Sequence, residues 1–522
     1  MSSLTLADYR EQAFGNLPDC LRLTASTRPG APALTLGGRT LHYAELDALA
    51  DRIAAAAQRD GLPRGARLAV CATTSIEYVA VYVGVLRAGM CVVPLAPSST
   101  PDGIAAMAHD ADAAIFFTDT EVAAALDAAG AVPAGRRVTL DGSTSGTAFE
   151  AWLAPQGNTP APVALTEADA FNIIYSSGTT GTPKGIVHSH AMRWSQLRRT
   201  DRSTFDGDGV LLVATPLYSN TTLTSVLPAL AAGAHLVLMP KFDAGQYLAL
   251  AEQHRATHTM LVPVQYQRLM QHPDMGRRDL SAFQMKYCVS APFSAALKAD
   301  VLARWPGGLT EYYGMTEGGG STMLLAHQFP DKLHTVGQPI ENHEIRLIGE
   351  DGREVAPGEP GEIVGRSAYM MTGYHKLPQK SAEAEWHDDT GRRFIRTGDV
   401  GRFDEDGFLI LMDRKKDMVI SGGFNIYPSD LEAVLARHPA VQEVAVVGVP
   451  SEAWGETPAA FVVLRQNQEA DATGICTWAN GQLGKTQRIG HLRIRDALPR
   501  SAIGKILKRE LRDSFDANAQ GH

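Results

Sequence analysis

Cysteine is scarce in this chain: five among 522 residues, at positions 20, 71, 91, 288 and 476. The number is odd and no two lie close in sequence. That excludes a disulfide framework and a paired-cysteine metal knuckle, and it fits a reducing compartment. Basic charge is not in excess: 48 lysines and arginines stand against 57 aspartates and glutamates, a formal net charge of −9. A nucleic-acid partner needs a concentrated basic surface, so that class is excluded. Long apolar runs are missing too. Tyr78–Leu86 is too short to span a bilayer and reads as part of a buried helix. Asp8, Arg10, Glu11 and Gln12 interrupt the apolar core that an export signal needs, so the expected location is the cytoplasm. No fixed-period repeat and no low-complexity tract is visible.

What is present is a globular composition, 44% hydrophobic and 20% charged. Leu46, Leu49 and Ile53 share one helical face within Tyr43–Arg59, which stops at Gly61-Leu62-Pro63. Arg67–Cys71 reads as a strand, Ser75–Leu86 as a helix, and Cys91–Leu95 as a strand again. This alternation predicts a parallel sheet covered by helices. The Gly-, Ala- and Pro-rich stretch 128–162 is expected to cross the surface before a second alternating region, 171–326. From Gly337 to Arg402, short strands with turn signals predict a small β-rich unit. Ser429 and Glu432 fit a capping box opening the stripe Leu431, Val434, Leu435, and His438-Pro439 closes that helix. Val444–Val449 and Ala460–Leu464 read as strands of a small C-terminal domain.

The most informative segment is Tyr175-Ser176-Ser177-Gly178-Thr179-Thr180-Gly181-Thr182-Pro183-Lys184-Gly185. Its glycines let successive backbone N–H groups line one concavity, its hydroxyls add donors, and Lys184 offsets charge. Together they suit a polyphosphate. It is not a Walker loop, because Pro183 and Gly185 flank the lysine. Phe171–Tyr175 and Ile186-Val187 both read as strands, so the loop joins strand to strand. A plain surface turn is the alternative for any generic Gly/Ser/Thr string.

This string is similar to the signature loop of the AMP-forming acyl-adenylate superfamily, of the acyl- and aryl-CoA ligase type, which also includes peptide-synthetase adenylation domains and firefly luciferase. Further motifs recur in the family's order from about Leu34 to Leu511. The resemblance implies an α/β fold: a large N-terminal domain, 1–413, of two α/β units plus the β-rich unit, a hinge at 414–416, and a small mobile α+β domain, 417–522. It implies that Ser176, Ser177, Gly178, Thr179, Thr180, Gly181 and Lys184 hold ATP phosphates. Tyr313-Gly314-Met315-Thr316-Glu317 resembles the second nucleotide motif, with Thr316 on the α-phosphate and Glu317, with Thr179, on Mg²⁺. Glu311 and Tyr312 are then expected beside adenine, with Ser290-Ala291-Pro292 on its other side. Asp399 resembles the ribose ligand, Arg414 reaches ribose or phosphates, Lys416 is the hinge residue, and Lys505 is the adenylation lysine. Gly422 and Gly423 would border the pantetheine arm of CoA, with Lys241 and Trp454 as further CoA contacts.

Thr215–Thr221 resembles the acyl-pocket motif, which assigns Tyr218, Ser219 and Asn220 to the acid. Many relatives carry His where this chain has Ser219. Gly318-Gly319-Gly320 is expected to free space in the pocket wall, favouring an aromatic or medium-to-long acyl group. The implied reaction turns a carboxylic acid and ATP into acyl-AMP and pyrophosphate, then forms a thioester with coenzyme A. The rival readings are loading of a carrier protein and a non-catalytic nucleotide-binding relative. A zinc role for His188-Ser189-His190 is not expected, because no third ligand sits at suitable spacing. The sequence leaves the oligomeric state open, a homodimer being one option.

Overall fold

The computed structural model describes residues 5–176, 183–198, 205–414, 417–421, 424–451, 454–466, 468, 470–484, 487–501 and 505–515. At 176, 413, 414, 424 and 425 only the backbone is described. The chain separates into two compact units. The first is Met1–His334, Pro339–Glu344 and Gly365–Ile395; the second is Thr335–Gln338, Ile345–Val364 and Arg396–His522.

The fold is α/β, and two largely parallel sheets organise the first unit. One runs Gly373–Tyr374, Lys184–Ser189, Ala170–Ser176, Cys91–Pro94, Arg67–Cys71, Ala113–Thr118, Arg136–Thr139 and Thr147–Ala148. The other carries, in order, Thr322–Leu325, Gly308–Tyr313, Met285–Cys288, His258–Leu261, Val210–Val213, His235–Leu238, Pro32–Leu36 and Arg39–His42. Parallel strands bury both faces, which is why Val210–Val213 and Cys91–Pro94 read as continuous apolar runs. The expected helix Tyr43–Arg59 forms over those residues and buries Leu46, Ala50 and Ile53. Ile76–Arg87 is largely apolar and buried at every position but Glu77, and it is capped by Ser75 Oγ, which accepts from the Tyr78 amide at 3.1 Å. Its buried Arg87 is neutralised by Asp47 and Asp51.

Strands Glu344–Ile348, Gly361–Arg366, Arg393–Phe403 and Leu409–Arg414, most of whose residues fall in the second unit, supply the β-rich part. Beyond them, strands Phe424–Ile426, Val419–Ser421, Gly455–Leu464 and Val441–Ser451 pair in that order. His491–Ile494 lies parallel beside Gly455–Leu464. One face of this sheet packs Val446 and Val462 against Leu431, Leu435 and Ile475. The other packs Ala445, Val447 and Phe461 against Leu498 and Leu511. Among the described residues no helix is long and apolar enough to cross a membrane.

Two local expectations are corrected. The stretch 128–162 is not all surface: it contains the strand Arg136–Thr139 and the short helix Phe149–Trp152. Trp152 is buried, edge-on to Phe117 and donating its indole N–H to Asp60 Oδ2 at 2.8 Å. The capping box at Ser429 does not form either. The helix is Pro428–Leu435, with Tyr427 at its N-cap and no side-chain cap. Ser429 Oγ donates to the Met412 carbonyl, and Glu432 Oε1 accepts from the Val446 amide at 2.7 Å.

Candidate active site

Strands Ala170–Ser176 and Lys184–Ser189 pair antiparallel, with Tyr175 opposite Gly185 and Ser176 opposite Lys184. The glycine-rich loop therefore closes a hairpin, strand to strand, as the sequence predicts. Residues 177–182 lie outside the described residues, so Ser177, Gly178, Thr179, Thr180 and Gly181 are placed only by their flanks. Gly373–Tyr374 adds to the Lys184 strand, with Tyr374 opposite Ile186. This sets the Lys184 ammonium over the Tyr374 ring, 5.0 Å from its centroid. The Tyr374 hydroxyl in turn donates to Glu317 Oε1 at 2.9 Å. Burial, and the Glu317 charge beside it, push the phenol well above its ordinary value. Tyr374 thus joins two expected site residues, and the sequence reading did not single it out.

Thr316 and Glu317 follow the strand Gly308–Tyr313. The Thr316 carbonyl accepts from His188 Nε2 at 2.7 Å. His188 is fully buried, and its Nδ1 faces the donors Arg193 Nη2 at 2.8 Å and Asn172 Nδ2 at 3.2 Å. That fixes the neutral Nε2–H tautomer. Burial and the adjacent guanidinium hold this imidazole well below its usual value. Arg193 is also wholly buried and lowered to about 10 by desolvation. It donates to Asn172 Oδ1 at 3.0 Å, Gln196 Oε1 at 2.8 Å and Asn220 Oδ1 at 2.9 Å. Sequence spacing gave no signal for this network, which gathers residues from four separate segments. Among the described residues no three His, Cys, Asp or Glu side chains gather in a group that could hold a metal ion.

The acyl-pocket motif opens the helix Asn220–Ala231. Ser219 is buried at its N-cap and makes no side-chain cap bond, while Tyr218 is half-buried. Thr221 Oγ1 meets Ser290 Oγ at 2.5 Å, so the structure brings this motif to the Ser290-Ala291-Pro292 loop. Ser290 takes a φ of +82° there.

The structure bears on two expectations about this region. Glu311 and Tyr312 point to opposite faces of their strand, as neighbours in a strand must. The Glu311 carboxylate is buried in an ion pair with Lys298, and burial pushes its pKa up. The Tyr312 ring packs near Tyr287, with centroids 6.0 Å apart. Gly318 and Gly319 do not open space. A Cβ on Gly318 would meet the Tyr369 carbonyl oxygen at 1.6 Å, and one on Gly319 the Gly365 carbonyl oxygen at 2.9 Å. Their φ values of +77° and +95° further require glycine. Backbone fills the volume that the missing side chains leave.

In the second unit, Asp399 pairs across the ladder with Arg414, so these two expected nucleotide ligands share one register position. The Asp399 amide donates to Thr397 Oγ1, whose hydroxyl donates to the Ile363 carbonyl. Lys505 pairs with Ser501: the Ser501 amide donates to the Lys505 carbonyl at 2.8 Å, with Arg500 bridged to Ile506. Arg500 also pairs with Glu443 at 2.8 Å. Trp454 is 61% exposed beside Gly455, which pairs with Ser421. Lys241 sits in an exposed turn of the first unit, remote in sequence from the other CoA candidates. Lys416, Gly422 and Gly423 lie outside the described residues.

Comparison with known proteins gives two family matches: AMP-binding enzyme over residues 21–375, and AMP-binding enzyme C-terminal domain over 430–505. The chain is 34% identical to a feruloyl-CoA synthase from an Amycolatopsis species, over 97% of this chain and 100% of that protein. It is 31% identical to a fatty acid–[acyl-carrier-protein] ligase from Streptomyces coeruleorubidus, over 94% and 95% respectively. Its fold is similar to the crystal structure of ATP-bound MatB from Rhodopseudomonas palustris, with TM-score 0.86 and 30% identity over 96% of this chain and 99% of that one.

Proposed function

The chain belongs to the AMP-binding enzyme family, and from that premise we propose how its residues divide the work. It is an AMP-forming acid–CoA ligase that takes ATP, a carboxylic acid and coenzyme A. The observation that carries this reading is the Lys184–Tyr374–Glu317 array set on the strand that leaves the glycine-rich hairpin.

The chemical problem is electrostatic. A carboxylate is a weak nucleophile, and ATP is also anionic, so the two repel as they approach. Lys184 and the loop N–H groups meet the phosphates, Thr316 donates its hydroxyl to the α-phosphate, and Lys505 meets the negative charge that spreads in the transition state. Asp399 takes the ribose hydroxyls, Arg414 assists, and Tyr312 and Ser290 flank the base. Glu317 offers a hard carboxylate oxygen fixed by Tyr374, and its other oxygen has no partner among the described residues. That donor suits Mg²⁺ arriving with the triphosphate, whose own oxygens would complete the coordination. When bound, the metal supplies further charge neutralisation.

The acyl carbon is then electrophilic, and a thiol displaces AMP. Lys505 and the Gly422-Gly423 loop both lie beyond Lys416, yet they serve different half-reactions. The reading therefore takes 1–413 as the adenylating domain and 417–522 as a domain that turns about Lys416 between steps. The acid is aromatic or medium-to-long, in keeping with the feruloyl and fatty-acid relatives, and the enzyme works in the cytoplasm. The carrier-protein relative favours a second reading, in which the thiol is a carrier's pantetheine. Incubation with ATP, Mg²⁺, an accepted acid and free CoA separates the two. Acyl-CoA as product supports the first reading; pyrophosphate release without acyl-CoA, with a thioester formed only on a supplied carrier protein, supports the second.

A further inference from the structure

Arg193 is a cation sealed in the interior, and every group that receives its N–H bonds is neutral: Asn172, His188, Gln196 and Asn220. No carboxylate pairs with it among the described residues. A buried cation usually has an anionic partner, because neutral dipoles only partly offset its lost hydration. Arg87, buried in the same unit, has two.

Guanidinium carries only donors, so the Asn220 atom facing it must be the amide oxygen. The Asn220 NH₂ therefore points away from Arg193, and it has no partner among the described residues. Asn220 is half-buried at the first position of the helix Asn220–Ala231, immediately after Ser219. The same Arg193 Nη2 that holds Asn220 also holds His188, whose ring fixes the Thr316 carbonyl. One guanidinium thus orients a free donor in the acyl motif and, through one imidazole, the turn that bears Thr316.

We propose that the Asn220 amide N–H binds the reacting carboxylate of the acid, with Arg193 as the positioning residue that orients and polarises it. The arrangement gives the acid a donor where Ser219 offers no imidazole, and the substrate supplies the negative charge that Arg193 lacks. This rests on the ligase reading above.

The test compares Asn220→Asp and Asn220→Leu with the unaltered chain, measuring pyrophosphate release and thermal melting. Aspartate can pair with Arg193, so Asn220→Asp is expected to melt at or above the unaltered chain. It nonetheless removes the donor and sets one carboxylate against another. KM for the acid is expected to rise about tenfold to a hundredfold, for every acid accepted, while KM for ATP moves less than about twofold. Asn220→Leu removes both the donor and the oxygen that accepts from Arg193, but it sets no carboxylate against the acid, and its acid KM is expected to rise less. A purely structural role would not produce that ranking. Acid KM within about twofold in both variants overturns the proposal. So does a loss confined to acids that carry a second acceptor group, and so does an Asn220→Asp chain that melts lower. The melting arm needs no turnover: it reads the Arg193–Asn220 geometry by itself. A chain that releases no pyrophosphate with any acid instead fails the ligase reading.

Discussion

Tyr374 donates its hydroxyl to Glu317 Oε1 at 2.9 Å while its ring carries the Lys184 ammonium on one face. A single phenol therefore sets the direction of the carboxylate proposed for Mg²⁺ and the place of the lysine proposed for the phosphates. Tyr374→Phe keeps the ring under Lys184 and removes only the bond to Glu317. Outer partners of this kind typically carry roughly 10–100-fold in metal affinity or activity. The variant is expected to need more Mg²⁺ for half-maximal pyrophosphate release, and a titration with magnesium at saturating ATP reads this directly. An unchanged midpoint would show that Glu317 needs no orienting.

Lys505→Ala tests the division of labour between half-reactions. Loss of one charge-stabilising group is expected to slow adenylation by roughly 10²–10³-fold. Thioester formation from supplied acyl-AMP and CoA is expected to continue at close to the normal rate. Equal loss in both steps would contradict a lysine that serves only the first.

Gly318→Ala distinguishes a packing glycine from a pocket glycine. The added methyl would run into the Tyr369 carbonyl at a backbone φ of +77°. The expected result is destabilisation of more than about 3 kcal/mol, read from a denaturant midpoint. A stable Gly318→Ala chain that merely prefers smaller acids would restore the pocket reading.

His190 predicts an acid-sensitive fold. Burial lowers its pKa to about 4, well under the ordinary value of 6.5. Above pH 6.5 the ring is neutral folded or unfolded and contributes no pH dependence. As pH falls from 6.5 to 4, the unfolded chain takes up the proton first, so stability is lost across that window, by roughly 3 kcal/mol at its lower end. Melting temperatures between pH 4 and 7 are expected to decline less steeply in His190→Asn than in the unaltered chain.

Much of this architecture is legible in the sequence, and the parts that are not share a cause. Tyr43–Arg59 and Arg67–Cys71 form over the predicted residues because their signals are local: one apolar face and one buried run. The strand-to-strand setting of the glycine-rich loop is equally local. Ser429 and Glu432 satisfy the pattern of a capping box, but distant partners, the Met412 carbonyl and the Val446 amide, take both side chains. In the sequence Gly318 and Gly319 look like empty space, because nothing in the chain announces that residues 365–369 pass against them. The buried network is the extreme case. Asn172 and Arg193 carry no signal in their own segments, and nothing local ties them to His188, Asn220 or Thr316; the sheet order gathers the five.

The account stands most directly on ATP–pyrophosphate exchange by the purified chain across a panel of carboxylic acids with magnesium present. It predicts exchange that depends on an added aromatic or medium-to-long acid. Exchange with acetate or propionate alone would contradict the assigned acid class, and no exchange with any acid would contradict the account as a whole.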